Sequence, residues 1–119
     1  MIRPCDAIEK IYLCREPVDF RKAINGLSMI VEETLCLDPF SSQLFVFTNK
    51  RRNKIKILVW DKTGFILWLK ALDDAQFKWP LKNKKEVLSI NGQQLNWLLD
   101  GIDIFAMKPH KTLYYSTIL

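Results

Sequence analysis

Histidine is almost missing from this chain, and that narrows the available chemistry at once. His110 stands alone among 119 residues. The three cysteines, Cys5, Cys14 and Cys36, are odd in number, far apart and contain no CxxC pair. A zinc site needs four well-spaced nitrogen, sulfur or oxygen ligands, and no such spacing is present. The expected state is three reduced, largely buried thiols. The sequence also lacks a GxxxxGK[ST] phosphate loop, a GxSxG nucleophile elbow and an HExxH helix. Acids are poorly arranged for metal-dependent strand cleavage. Asp73 and Asp74 are adjacent, so on a strand they face opposite sides. Asp100 and Asp103 fall near a helix end, where acids usually serve capping or solubility. The reading is a non-enzyme with no cofactor and no metal.

Long apolar runs are absent too. No stretch approaches the roughly 20 residues of a membrane span, and MIRPCDAIEK at the N-terminus has no apolar signal core. A soluble cytoplasmic protein with no membrane partner is expected. With four glycines, five prolines, no repeat and no low-complexity segment, there is no linker at which to divide the chain. Residues 1–119 read as one domain, with 104–119 either an added edge strand or a mobile tail.

What the chain does have is concentrated positive charge. The stretch from Gln43 to Pro80 alternates apolar, β-branched and aromatic runs with short polar turns. Between Thr48 and Lys70 lie seven basic residues and one acid, a local charge of +6 in a chain whose total is +5. The excess charge of the molecule therefore sits on one antiparallel meander. Concentrated charge of this kind points to a polyanionic partner. Strand period sets Lys54, Lys56, Leu58 and Trp60 on one face, and Ile55, Ile57, Val59 and Asp61 on the other. The two lysines then adjoin the Lys50-Arg51-Arg52 loop, in a cluster suited to a phosphate backbone. The plain structural alternative is a solvated hairpin whose charges discourage edge pairing. The four tryptophans are expected mainly in packing between sheet and helix, with Trp79, before Pro80, the best candidate for exposure.

The fold class expected is α+β. Strands are placed at about 43–48, 54–61 and 65–72, with short ones at 10–14 and 86–90. Asp61-Lys62-Thr63-Gly64 reads as a turn. Asp19 reads as the N-cap of one long helix through residue 35 or 36. Its apolar stripe is Phe20, Ala23, Ile24, Leu27, Ile30, Val31, Thr34 and Leu35. Gly26 inside this helix suggests a close crossing under a sheet. A second, short helix runs from an Asn91 cap to a stop near Gly101, with Leu95, Leu98, Leu99 and Ile102 as its apolar side. The mainly antiparallel sheet is expected to pack on the long helix, with the short helix covering an edge or end.

Four segments in this order resemble a known family. They are Pro17 to Leu27 (PVDFRKAINGL), Leu44 to Lys56 (LFVFTNKRRNKIK), Trp60-Asp61-Lys62-Thr63-Gly64-Phe65 followed by Phe77-Lys78-Trp79-Pro80, and Leu98 to Asp103 (LLDGID). The chain resembles the small TnpB-type accessory proteins, second-open-reading-frame products of the IS-sixty-six group of bacterial insertion sequences. The likeness covers most of residues 2–103. It implies a non-catalytic role in transposition beside a separate, larger transposase. Where many relatives read Tyr-Lys-Arg-Leu-Glu, this chain has Leu69-Lys70-Ala71-Leu72-Asp73, and Gln76 stands where arginine is frequent. Two roles follow as expectations. In the first, Lys50, Arg51, Arg52, Lys54 and Lys56 contact DNA phosphates, near the element's ends, with Arg21 and Lys22 secondary. In the second, the protein is an adaptor that docks on the transposase and binds no DNA itself. Neither role defines the oligomeric state.

Overall fold

Leu44-Phe45-Val46-Phe47-Thr48 has no polar alternation, and all five residues are buried. A strand of this kind must be covered on both faces. The computed structural model, which describes residues 10–106, explains why. This strand, β2 (Leu44–Thr48), is the centre of a five-stranded sheet. The other strands are β1 (Ile11–Cys14), β3 (Lys54–Asp61), β4 (Gly64–Ala71) and β5 (Val87–Ile90), in the order β4-β3-β2-β1-β5. The β2–β3–β4 meander and the β1–β5 pair are antiparallel, whereas β1 runs parallel to β2. A parallel pair needs a crossover, and the segment carrying the first helix supplies it.

The α+β class therefore holds and the expected meander forms, but the two short strands join it in one mixed five-stranded sheet, with β1 parallel to β2. Its two helices lie on opposite faces. Leu27, Val31 and Leu35 pack with Phe45, Phe47 and Leu58 on one side. Leu95, Leu98 and Leu99 pack with Ile11, Leu13, Val46, Ile55, Ile57 and Trp79 on the other. The alternation in β3 feeds both cores, Leu58 to the first and Ile55 and Ile57 to the second.

The long helix from Asp19 is not formed. Val18 N–H donates to the Thr48 carbonyl at 2.9 Å, so the chain is still tied to the end of β2 at that point. Asp19 then closes a turn of its own: its carboxylate accepts from Arg21 N–H at 2.9 Å, and its carbonyl accepts from Lys22 N–H at 3.0 Å. Helix α1 begins only at Ile24 and runs to Met29. A wider, π-helical turn follows over Ile30–Thr34, in which Leu35 N–H reaches the Ile30 carbonyl, five residues back. Gly26 faces no sheet. A Cβ there would lie 3.0 Å from the Lys22 Cβ, so the doubled-back turn is its neighbour.

Helix α2 (Gly92–Leu99) matches its sequence signals. Asn91 Oδ1 accepts from Gln94 N–H at 2.8 Å, and Gln94 Oε1 accepts from Asn91 N–H at 2.9 Å, a complete capping box. At the other end Gly101 has φ +87°. Gly101 N–H bonds the Leu98 carbonyl and Ile102 N–H the Trp97 carbonyl, so the last carbonyls are satisfied. Lys70 of β4 adds its ammonium to the Leu99 carbonyl at 2.8 Å.

Two smaller expectations change. Trp79 is only 8% exposed, and its indole N–H donates to the Cys14 and Arg15 carbonyls at 3.1 Å. It is an anchor under the end of β1 rather than an exposed ring. Cys36 is exposed, with φ +56°, while Cys14 is buried and desolvation pushes its thiol up to about 11. The Asp61-Lys62-Thr63-Gly64 turn forms as expected, with Asp61 paired to Gly64 across it and Lys62 in the left-handed region at φ +53°. Ile104 is buried and Phe105 packs on the second core. Cys5 and the rest of the expected tail, 107–119, lie outside the described residues, as do residues 1–9. Among the described residues no helix is long and apolar enough to cross a membrane. No group of three His, Cys, Asp or Glu among them could hold a metal ion.

Candidate nucleic-acid interface

The loop between β2 and β3 reads Asn49-Lys50-Arg51-Arg52-Asn53, a basic triplet between two asparagines. The asparagines build it. Asn49 Oδ1 accepts from the N–H groups of Asn53 and Lys54, both at 3.1 Å, and the Asn49 amide donates to Asn53 Oδ1 at 2.7 Å. Arg52 N–H closes the turn on the Asn49 carbonyl at 3.0 Å, with Arg52 itself at φ +58°. Beneath the loop, buried Thr48 donates its hydroxyl to the Lys54 carbonyl at 2.9 Å.

A second segment holds the loop from outside. Gln76 Nε2 donates to the Arg51 carbonyl at 2.7 Å, Phe77 N–H to Arg52 at 2.7 Å and Leu72 N–H to Asn53 at 2.8 Å. Three successive carbonyls are thus engaged on one side. The side chains of Lys50, Arg51 and Lys54 stand exposed, and no acid among the described residues pairs with them. Arg52 is half-buried, and its Nε is shielded with no acceptor.

The structure does not bring all seven candidate contact residues together. Lys50, Arg51, Arg52 and Lys54 come together on the loop. Lys56 points toward the first helix, as strand period requires. Its ammonium donates to the Phe20 and Lys22 carbonyls at 2.9 Å and lies 4.7 Å from the centre of the Phe20 ring. It acts as a strut, with two of its three donors engaged. Arg21 forms a two-pronged ion pair with Asp19, at 3.0 and 2.6 Å. Arg21 beside it holds the Asp19 carboxyl down at about 2. The Arg21 side chain is 92% exposed, but its charge is matched. Lys22 is exposed and lends its carbonyl to Lys56.

The two flanks of the loop differ in charge. On one side a groove of about 790 Å³ separates Lys50, Arg51 and Arg52 from Pro17, Val18, Phe20 and Leu81. Its two acids already have arginine partners, Glu16 with Arg15 at 2.9 Å and Asp19 with Arg21. On the other side a hollow of about 860 Å³ holds Arg51 and Lys78 against Asp73, Asp74 and Asp100. The first flank is thus lined by three cations and two paired acids, whereas the second sets acids against Arg51 and Lys78. Sequence reasoning missed the roles of Asn49, Asn53 and Gln76. The symmetric asparagines around the triplet were a visible signal, because Asn commonly bonds nearby backbone in turns. Nothing local marked Gln76.

Comparison with known proteins identifies the chain's family. A family model described as IS66 Orf2 like protein matches residues 9–109. Two Sinorhizobium fredii proteins are similar along most of their length. One, named uncharacterized protein y4jC, is 34% identical over 108 residues, 91% of each chain. The other, named uncharacterized protein y4hO, is 32% identical over 94 residues, 79% of this chain and 81% of the relative. No solved structure matches. With the family model spanning all the described residues, the chain belongs to the IS66 Orf2-like family, and a transposition-associated accessory role comes with that membership.

Proposed function

We propose that the protein is a non-catalytic accessory factor that binds DNA of its insertion sequence, gripping the phosphate backbone with the stapled β2–β3 loop. The supporting observation is the set of four basic side chains, Lys50, Arg51, Arg52 and Lys54, on a loop whose backbone is held at Asn49, Arg51, Arg52 and Asn53 and whose cations have no acid partner among the described residues. A backbone path follows the groove toward Pro17 and Val18 and avoids the acids at 73, 74 and 100. Lys56 and Arg21 hold the turn that carries the groove residues Asp19 and Phe20. Phosphate contacts of this kind give affinity without strong sequence readout.

Fluorescence anisotropy with labelled element-end and random duplexes tests the reading across salt. Four phosphate contacts give a log–log salt slope of about −3.6, or roughly a hundredfold weakening between about 50 and 200 mM salt. Arg51→Glu with Arg52→Glu should abolish binding at low salt. Undiminished binding by that variant, or no binding by the unaltered protein at any salt, overturns the proposal.

A further inference from the structure

We infer that two copies of this chain pair edge to edge through β4, antiparallel, joining two five-stranded sheets into one. β4 is the last strand of the sheet, so on one side half of its backbone N–H and C=O groups have no strand partner. No loop or helix among the described residues hydrogen-bonds to that side. Long free edges usually carry a proline, a bulge or an outward charge that prevents pairing. Gly64–Ala71 (GFILWLKA) has none of them. Its eight residues pair with β3 in unbroken register, and its single charge, Lys70, is turned onto the Leu99 carbonyl. Leu69 is 58% exposed and Ile66 38% exposed. Phe40, 54% exposed, extends the apolar margin by packing edge-on against Trp60 and beside Phe65. The opposite edge is built differently: β5 has four residues and follows Lys84, Lys85 and Glu86.

The register of β4 favours a second copy of itself as the occupant. A two-fold axis through Leu67, perpendicular to the sheet, keeps each face on its own side. Phe65 of one copy then faces Leu69 of the other, Ile66 faces Trp68, and Gly64 faces Lys70. No like charges oppose one another, and each exposed leucine covers an aromatic ring, a favourable cross-strand combination. Size is consistent with a real but weak dimer. Eight residues at about 3.4 Å each make an edge about 27 Å long, and a sheet with a layer about 10 Å away on each face is about 20 Å tall. Pairing therefore buries on the order of 1,000 Å² in total, at the lower limit for a specific interface. The inference is independent of DNA binding, because the basic loop joins β2 to β3 and none of its residues belongs to β4.

Sedimentation velocity of the full chain without DNA, from about 1 μM to about 300 μM, spans the affinity that such an area allows. The expected result is a reversible shift from one chain mass to two, with slower amide exchange along β4 at high concentration. Leu69→Lys with Ile66→Lys, both at positions exposed in the single copy, should keep the fold by circular dichroism and stay at one mass throughout. If that double variant fails to fold, Leu69→Glu alone serves, and it should weaken association at least tenfold. A single mass for the unaltered chain at every concentration overturns the inference. So does a dimer that survives these substitutions. A strand of the transposase that occupies β4 while the chain alone stays monomeric overturns it as well.

Discussion

The two helices of this protein are held in opposite ways. α2 carries its own start and stop: the Asn91–Gln94 capping box, the left-handed Gly101 and the Lys70 ammonium at its last carbonyl. α1 starts at Ile24, after an Ala23 that offers no side-chain cap, and widens into a π turn after six residues. It persists because Leu27, Val31 and Leu35 are pressed onto Phe45, Phe47 and Leu58. A helix with local stops is specified by its own residues. A helix without them depends on its tertiary contacts, and its ends move to suit the sheet.

The largest expected effect removes those contacts. Leu27→Ala and Leu98→Ala, at fully buried positions, should each cost about 2–5 kcal/mol in denaturant unfolding. The two variants should differ in where the damage appears. Amide exchange should accelerate throughout residues 24–35 in the first, while α2 keeps its ends in the second. Next comes the stop. Gly101→Ala forces a side chain into φ +87° and should cost about 1–2 kcal/mol, since open space around the added Cβ does not relieve the backbone.

Smaller still are the caps. Asn91→Ala should lose about 1 kcal/mol, whereas Ala23→Asp, at a capping position with extended backbone, should gain about 0.5–1 kcal/mol. If both changes prove neutral, the contrast between the helices is wrong. The smallest effect is a pH signature. The Asp19 carboxyl is held at about 2, below its ordinary 3.8. A depressed carboxylate stabilises above its unfolded value and loses that contribution as the pH falls through its folded one. Urea midpoints of the unaltered protein and of Asp19→Asn should therefore differ above pH 4 and converge between pH 4 and 2.

The same contrast explains what could be read from the sequence. β3 was placed at both ends, because apolar alternation and polar turns are local features. α2 was placed for the same reason. The start of α1 was misread because Asp19 has the chemistry of a cap, yet Val18 is still bonded to Thr48 and the carboxylate closes a turn instead. The parallel insertion of β1 between β2 and β5 has no local signature, since it depends on which strands meet through a crossover. Within the candidate site, the basic triplet was legible as charge. The separation of Lys56 from it was legible only as a face. That its ammonium would end on two carbonyls beside Phe20 needed the helix entry in place. Gln76 was noted only for the arginine it replaces, and its bond to the Arg51 carbonyl joins residues 25 positions apart.

The bracing of the β2–β3 loop has one more consequence. With Arg51, Arg52 and Asn53 tied through their carbonyls to Gln76, Phe77 and Leu72, this ridge meets any partner as a stamp rather than a noose. Adjustment falls to the other molecule, so a stiff target and a pliant one of equal charge should be told apart by how readily each bends to the imprint.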